Sequence, residues 1–285
     1  MFGAVEHAEV NALINHVAAR RHPMVVSHGG VAVGCMPSNT WIAVKAAVAS
    51  GADLVKIDVA ASSDNIFYAF HDGFERELLG VDRNIQSMMA AEIADHSYIW
   101  HDRPGNRARV ERLLTLMDAF RGDEVVFALD RSWWRWPTLL KLLDGLNLPQ
   151  QVLLKVPAWE PSALEKLAAH RVKYPVLTIC STPLEYAALP QGPEINIVGV
   201  ELLAAYDDEA WFRQDAIDDI HSDGRFTLVN SETLTTGIPL FGGHDDERAV
   251  REGPEAAWSR PFDLGIDAVQ TALPWLLRDF REGRA

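Results

Sequence analysis

The chain has 285 residues, 48% of them apolar and 23% charged, which is ample material for a large core in at most about two domains. Lysine and arginine number 26 against 40 aspartates and glutamates, a formal charge of −14. That balance excludes the basic footprint on which general nucleic-acid binding depends. It leaves a small anionic ligand open, because one cationic pocket fits inside an acidic protein. The two cysteines, Cys35 and Cys180, are too few for a disulfide framework. No apolar run approaches the ~20 residues of a membrane helix, and Glu6, His7, Glu9 and Asn11 interrupt any signal-peptide core. The expected setting is cytoplasmic, with a small molecule as partner rather than nucleic acid or membrane.

In chain order, the segment 1–22 reads as a helix placed to close the bottom of whatever follows. Eight short apolar runs then succeed one another at 24–27, 53–59, 125–129, 152–156, 176–179, 195–200, 226–229 and 268–271. Amphipathic stretches separate them, and a hairpin-like strand at 66–70 follows the second. Alternating βα units predict a parallel sheet, and runs that are apolar throughout predict strands buried on both faces. Eight units in this length predict a single (β/α)8 barrel domain spanning 1–285. Ser38 is the predicted cap of a helix over 40–50 that Gly51 ends, and Pro161-Ser162 opens another that ends near His170. Two long connections, 72–105 and 231–261, are insertions that read as lids or as surface elaborations.

A barrel carries its chemistry at the C-terminal ends of its strands. There the sequence offers Ser27-His28-Gly29-Gly30, Lys56-Ile57-Asp58, His71-Asp72, Asp130-Arg131-Ser132, Lys155, Glu201 and Asn230-Ser231-Glu232. Two histidines, two lysines and several carboxylates converge on one mouth. Either histidine alone is as consistent with a structural role; two at strand ends favour acid–base work.

These residues resemble the glycerophosphodiester phosphodiesterase family, one of the phosphatidylinositol-phospholipase-C-like phosphodiesterase barrels. That family opens with His-Arg-Gly, matched by His28-Gly29-Gly30, and continues with Glu-Asn-Thr, matched by Ser38-Asn39-Thr40. Its Gly-Ala-Asp and Glu-x-Asp-Val are matched by Gly51-Ala52-Asp53 and Lys56-Ile57-Asp58-Val59, and its His-Asp is intact as His71-Asp72. Arg76, Gly80, Ile85 and Glu92-Ile93 keep its spacing, and 265–274 resembles its last motif with Ala272 in place of an aspartate. The similarity is specific in the first hundred residues and the last thirty, and diffuse between.

The resemblance implies hydrolysis of a small glycerol- or sugar-containing phosphodiester, with His28 and His71 exchanging acid and base roles. It also implies a divalent metal, Mg²⁺ or Ca²⁺, on Asp58 and on Asp130 from the third barrel strand. Two departures bear on this. The family's phosphate-binding arginine is Gly29, and its first metal-ligand glutamate is Lys56. An ammonium about 4 Å from a divalent ion is repelled by roughly 8 kcal/mol at an effective dielectric of about 20. One reading places Lys56 in the metal's role, paired to Asp58 and Asp130, with Lys155 supplying the second positive charge and a cyclic phosphate as intermediate. Bacterial phosphatidylinositol-specific phospholipases C resemble that arrangement. A second keeps a metal on Asp58, Asp130 and Glu201. Two rival functions remain: a sugar-active glycosidase or lyase using Glu201, Glu232 and Asp130, and a binding pseudo-enzyme.

The remaining candidates have a structural reading beside the functional one. Trp133, with Trp134 and Trp136, either stacks on a ligand or packs a helix, and Arg131 or Arg135 is placed to meet phosphate. Glu201 is a substrate contact or a partner of Lys155. Asn230 is a polar substrate contact or a turn cap. His101-Asp102 reads as surface, 244–247 as a solvated acidic lid, and Cys35 as a small apolar residue.

Overall fold

The computed structural model describes residues 1–99 and 107–284. Ten strands are present: β1 (Met24–His28), β2 (Leu54–Ala61), β3 (Phe67–Ala69), β4 (Glu111–Arg112), β5 (Val126–Asp130), β6 (Val152–Pro157), β7 (Val176–Cys180), β8 (Ile197–Leu202), β9 (Phe226–Asn230) and β10 (Ala268–Thr271). Eight of them run parallel in the order β1-β10-β9-β8-β7-β6-β5-β2, and pairing of β1 with β2 closes the ring. The (β/α)8 barrel implied by the eight apolar runs is therefore the fold, and each run overlaps a strand of its own. β3 and β4 continue from the far end of β2 as an antiparallel ribbon. The sequence reading had β3 as 66–70 and missed β4, whose two residues carry no apolar pattern.

The lower interior is apolar. Met24, Val26, Leu54, Val126, Ala128, Leu153, Leu177, Phe226, Leu228 and Ala268 meet there, and Ile14 and Val17 close the end from below. Those two belong to the helix Ala12–Arg20, which is preceded by a short 3-10 turn, Val5–His7, rather than being continuous from the N-terminus. Two motif aspartates fasten this end. Asp53 accepts from Val25 N at 2.8 Å and pairs with Arg21 and Arg281. Asp267 accepts from Thr227 N at 2.8 Å and faces His22 and His221. Each thus ties a neighbouring strand to a terminal or flanking helix, at the barrel face where such residues serve stability.

The helix after β1 is Trp41–Ala49, and Thr40 caps it, not Ser38: its Oγ1 accepts from Ala43 N. Gly51 ends it at φ +90°. The segment after β3 folds as Glu75–Leu79, Ile85–Ser87 and Ala90–Ile93 over a small core of Tyr68, Phe70, Leu79, Ile85, Met88, Ile93 and Tyr98. The His101-Asp102 pair lies outside the described residues. The acidic run 244–247 is not a solvated lid. Asp245 caps the helix Asp246–Glu252, and Asp246 is half-buried, accepting from Thr271 Oγ1 and Ala272 N, both at 2.6 Å. His244 bonds Ala257 O at 2.9 Å. These internal partners replace the solvent that an isolated acidic run would need.

Candidate active site

Three strand ends build the floor of the mouth. In β2 the alternation of a strand places Lys56 and Asp58 on one face, and the register sets Asp58 directly beside Asp130 of β5. β1 brings His28 level with Lys56. Lys56 Nζ lies 2.5 Å from Asp58 Oδ1, 3.6 Å from Asp130 Oδ2 and 3.1 Å from His28 Nε2. Lys155 continues the chain of charges, 3.1 Å from Asp130 Oδ2 and 2.7 Å from Glu201 Oε2. The Lys56, Lys155 and Glu201 side chains are 2–6% exposed, whereas that of His28 is 30% exposed. A buried layer of alternating charge thus underlies a solvent-reachable imidazole.

The charges set the titration of this layer. Burial pushes the Asp58 carboxyl upward, but Lys56 and the imidazoles of His28 and His71 outweigh it and hold the group well below the usual carboxylate range. Asp130 is also lowered: burial and Asp58 oppose the shift, and Lys155 and Lys56 overcome them. Burial alone lowers a lysine, yet Asp130 and Glu201 hold Lys155 above its ordinary value. All three groups are charged at neutral pH.

Local backbone geometry explains how the first histidine is presented. Gly29 N donates to Lys56 O at 3.0 Å, and Asn39 N donates to Gly29 O at 2.7 Å. Gly30 sits at φ +80°, and a Cβ there would lie 2.6 Å from the Ala43 carbonyl carbon. Only glycine lets the loop after His28 press against the helix Trp41–Ala49. Asn39, at φ +58°, reaches back to the floor: its Nδ2 donates to Asp58 Oδ2 at 3.2 Å and its Oδ1 accepts from Asp58 N at 3.0 Å.

The side chains flanking the histidines differ. His28 Nδ1 bonds the Glu232 carboxylate. An ammonium only donates, so Nε2, which faces Lys56, is the acceptor and Nδ1 carries the proton. His71 uses Nδ1 against the Asp72 carbonyl oxygen at 2.9 Å and packs edge-on to Phe74, leaving Nε2 without a partner among the described residues. Asp72 is itself fixed by Arg131 Nε at 2.8 Å and Gln86 Nε2 at 2.7 Å.

Most candidate residues meet here. His28, Lys56, Asp58, Asp130, Lys155 and Glu201 form one contact chain, with His71 inside the electrostatic reach of Asp58. Arg131 and Trp133 lie one step away, around a separate hollow beside Asp72. Trp136 is buried with its Nε1 on Ser132 Oγ, and Arg135 extends toward Asn65. Asn230 is 6% exposed and shares a strand face with interior Leu228. Its Oδ1, like the Oε1 of its register partner Gln270, has no hydrogen-bond partner among the described residues. Two residues were undervalued in sequence. Glu232 was left as a rival catalyst or turn residue, and Asn39 was seen only as part of a motif.

The carboxylates do not fit a divalent metal. Asp58, Asp130 and Glu201 are each already paired with Lys56, Lys155 or both, and no group of three or more potential ligands is arranged around an ion position among the described residues. A cavity of about 550 Å³ lies elsewhere, outside the barrel between the helices Pro183–Ala187 and Gln214–Ser222.

Residues 30–133 match the sequence model of the Glycerophosphoryl diester phosphodiesterase family. Over that stretch the chain is similar to this family. No curated protein matches it. Among solved structures, a glycerophosphoryl diester phosphodiesterase from Parabacteroides distasonis superposes with a TM-score of 0.71 at 14% identity, covering 96% of this chain and 92% of the other. A glycerophosphodiester phosphodiesterase from Agrobacterium tumefaciens gives 0.62 at 19% identity, with 90% and 99% covered. A phosphodiesterase from Oleispira antarctica, solved with its product sn-glycerol-3-phosphate, gives 0.63 at 18% identity, with 93% and 99% covered. At these identities the likeness establishes the barrel.

Proposed function

We propose that this chain is a member of that family and hydrolyses a small glycerol- or sugar-containing phosphodiester, without a resident metal, as one catalytic barrel spanning the whole chain. The observation that carries the reading is the position of Lys56 Nζ, in contact with His28 Nε2, Asp58 Oδ1 and Asp130 Oδ2. In this reading that ammonium joins the catalytic base to the carboxylate floor and is the donor offered to a phosphoryl oxygen. A fixed positive charge in a dry site stabilises developing negative charge without reorganising.

In the proposed reaction His28 Nε2 takes the proton of a neighbouring hydroxyl on the substrate. The freed oxygen forms a bond to phosphorus, and the bond from phosphorus to the leaving alcohol breaks. His71, protonated, gives its Nε2 proton to that alcohol. The product of this step is a cyclic phosphate. Water then opens the ring with the two histidines in exchanged roles. Glu232 holds the His28 ring and its tautomer, Lys56 and Lys155 offset negative charge, and Asp58 and Asp130 orient Lys56. Asn230 and Gln270 offer acceptors for substrate hydroxyls. The sugar-active rival is less well served, because Glu201 is engaged by Lys155 and Glu232 by His28, so neither carboxylate is free to act as an acid.

Phosphorus NMR on a panel of glycerol and sugar phosphodiesters tests this, with and without EDTA, for wild type and His28→Ala. Cleavage that survives EDTA and disappears in His28→Ala is expected. Cleavage abolished by EDTA overturns the metal-free reading. A wild type inert on the whole panel favours the pseudo-enzyme.

A further inference from the structure

A second hollow of about 440 Å³ opens beside the catalytic floor, within the usual range of about 300–1,000 Å³ for small-molecule sites. One wall is the turn after β5, with Arg131, Trp133 and Trp134; the other is the start of the helix after β6, with Glu160, Ser162 and Lys166. Asp72, whose carbonyl oxygen holds His71, lies on the side toward the histidines.

Three features of this hollow are unexplained by packing. Arg131 is held in the left-handed region at φ +58°, where a non-glycine residue is strained. Its N donates to Asp130 Oδ1, its Nε to Asp72 Oδ1, and its O accepts from Trp134 Nε1. Those bonds fix the guanidinium while its two Nη groups have no partner among the described residues. Lys166 and Glu160, both half-buried on the other wall, likewise have no side-chain ion pair or hydrogen bond among the described residues. Trp134 exposes 48% of its surface beside them. Unengaged donors, an unengaged acceptor and a flat aromatic face around one hollow suit a ring bearing several hydroxyls. Such a ring stacks its apolar face on indole and divides its hydroxyls between cationic donors and a carboxylate acceptor. A bare glycerol has no ring face to stack and too few hydroxyls to engage these groups.

We propose that this hollow is the subsite for a sugar ring on one alcohol of the phosphodiester, which makes sugar rather than glycerol the preferred group there. The proposal rests on the hydrolase reading for its placement, but its test is equilibrium binding. By isothermal titration calorimetry, glucose 1-phosphate, galactose 1-phosphate and glycerol 3-phosphate are compared on the full chain. At least one sugar phosphate is expected to bind at least about tenfold more tightly than glycerol 3-phosphate. Trp134→Ala and Lys166→Met are each expected to reduce that preference severalfold. Trp134→Ala also removes a bond to Arg131, so Lys166→Met, away from that turn, reads the subsite independently. Equal binding of all three ligands, or a preference untouched by both variants, overturns the proposal. Sugar preference in a protein that cleaves no diester upholds the subsite and removes the hydrolase reading. Cleavage without sugar preference does the reverse.

Discussion

Lys56 Nζ donates to His28 Nε2 across 3.1 Å, so the lysine occupies the lone pair that the proposed base must use. In the proposed reaction a phosphoryl oxygen entering the mouth takes a hydrogen bond from that ammonium in place of His28, which frees the lone pair of the base with Lys56 in position. Lys56→Met removes that donor and the charge paired to the carboxylate floor. We expect kcat to fall by about 10²–10³ and stability to fall by about 3 kcal/mol, because buried Asp58 loses its charged partner. Steady-state kinetics and urea unfolding measure the two. Unchanged kcat in a folded variant excludes a catalytic role for Lys56.

In the proposed reaction Glu232 acts only through His28 Nδ1, which its carboxylate contacts. Glu232→Gln keeps the shape of the side chain, but a ring turned to satisfy the new amide no longer presents an unprotonated Nε2 reliably. The expected loss in kcat is about 10²–10⁴, by analogy with carboxylate-to-amide changes in other histidine dyads. KM and the melting temperature are expected to change little. A variant that loses KM and stability while retaining kcat marks Glu232 as a structural residue.

Lys155 is 2% exposed and bridges Asp130 and Glu201. Lys155→Met leaves two buried carboxylates facing each other and is expected to lower stability by about 3–5 kcal/mol. Adding Glu201→Leu removes one of them and is expected to recover part of that loss. The non-additivity in urea unfolding measures the coupling. Strictly additive losses show that the pair does not interact.

Stability is expected to depend on pH with two opposite slopes. Burial pushes the Asp246 carboxyl up to about 6. Between about pH 4 and 6 the folded chain keeps a proton that the unfolded chain has released, so stability falls as pH rises through that window. Asp58, Asp130 and Asp267 are instead held low, so their contribution is present above the ordinary carboxylate range and is lost as pH falls below it. Asp246→Asn retains an acceptor for Ala272 N and a donor for Thr271, and is expected to flatten the first slope, by at most about 3 kcal/mol, without altering the second. Urea unfolding at a series of pH values is the measurement, and an unchanged slope between pH 4 and 6 rules the assignment out.

The strands and the strand-end residues were legible because their signals are local. A run such as 125–129 is apolar at every position, which suits a strand covered on both faces, and the polar residue that follows it, Asp130, falls at the mouth by chain direction alone. Helix ends were less legible. Ser38 and Thr40 both have the chemistry of a cap, and Thr40 was selected by the course of the chain around Asn39, whose side chain serves Asp58.

The sequence by itself determined the barrel, the eight strands and the placing of His28, Lys56, Asp58, His71 and Asp130 at one end, because hydrophobic pattern and strand direction require nothing beyond neighbouring residues. Only the tertiary structure decided which groups those residues answer to. Glu232 meets His28 from 204 positions away, Glu201 engages Lys155, and Asp246 leaves an acidic run to clasp Thr271. Ring closure and strand register bring such pairs together, and buried charge then selects its partner by proximity, which no local pattern in the chain encodes.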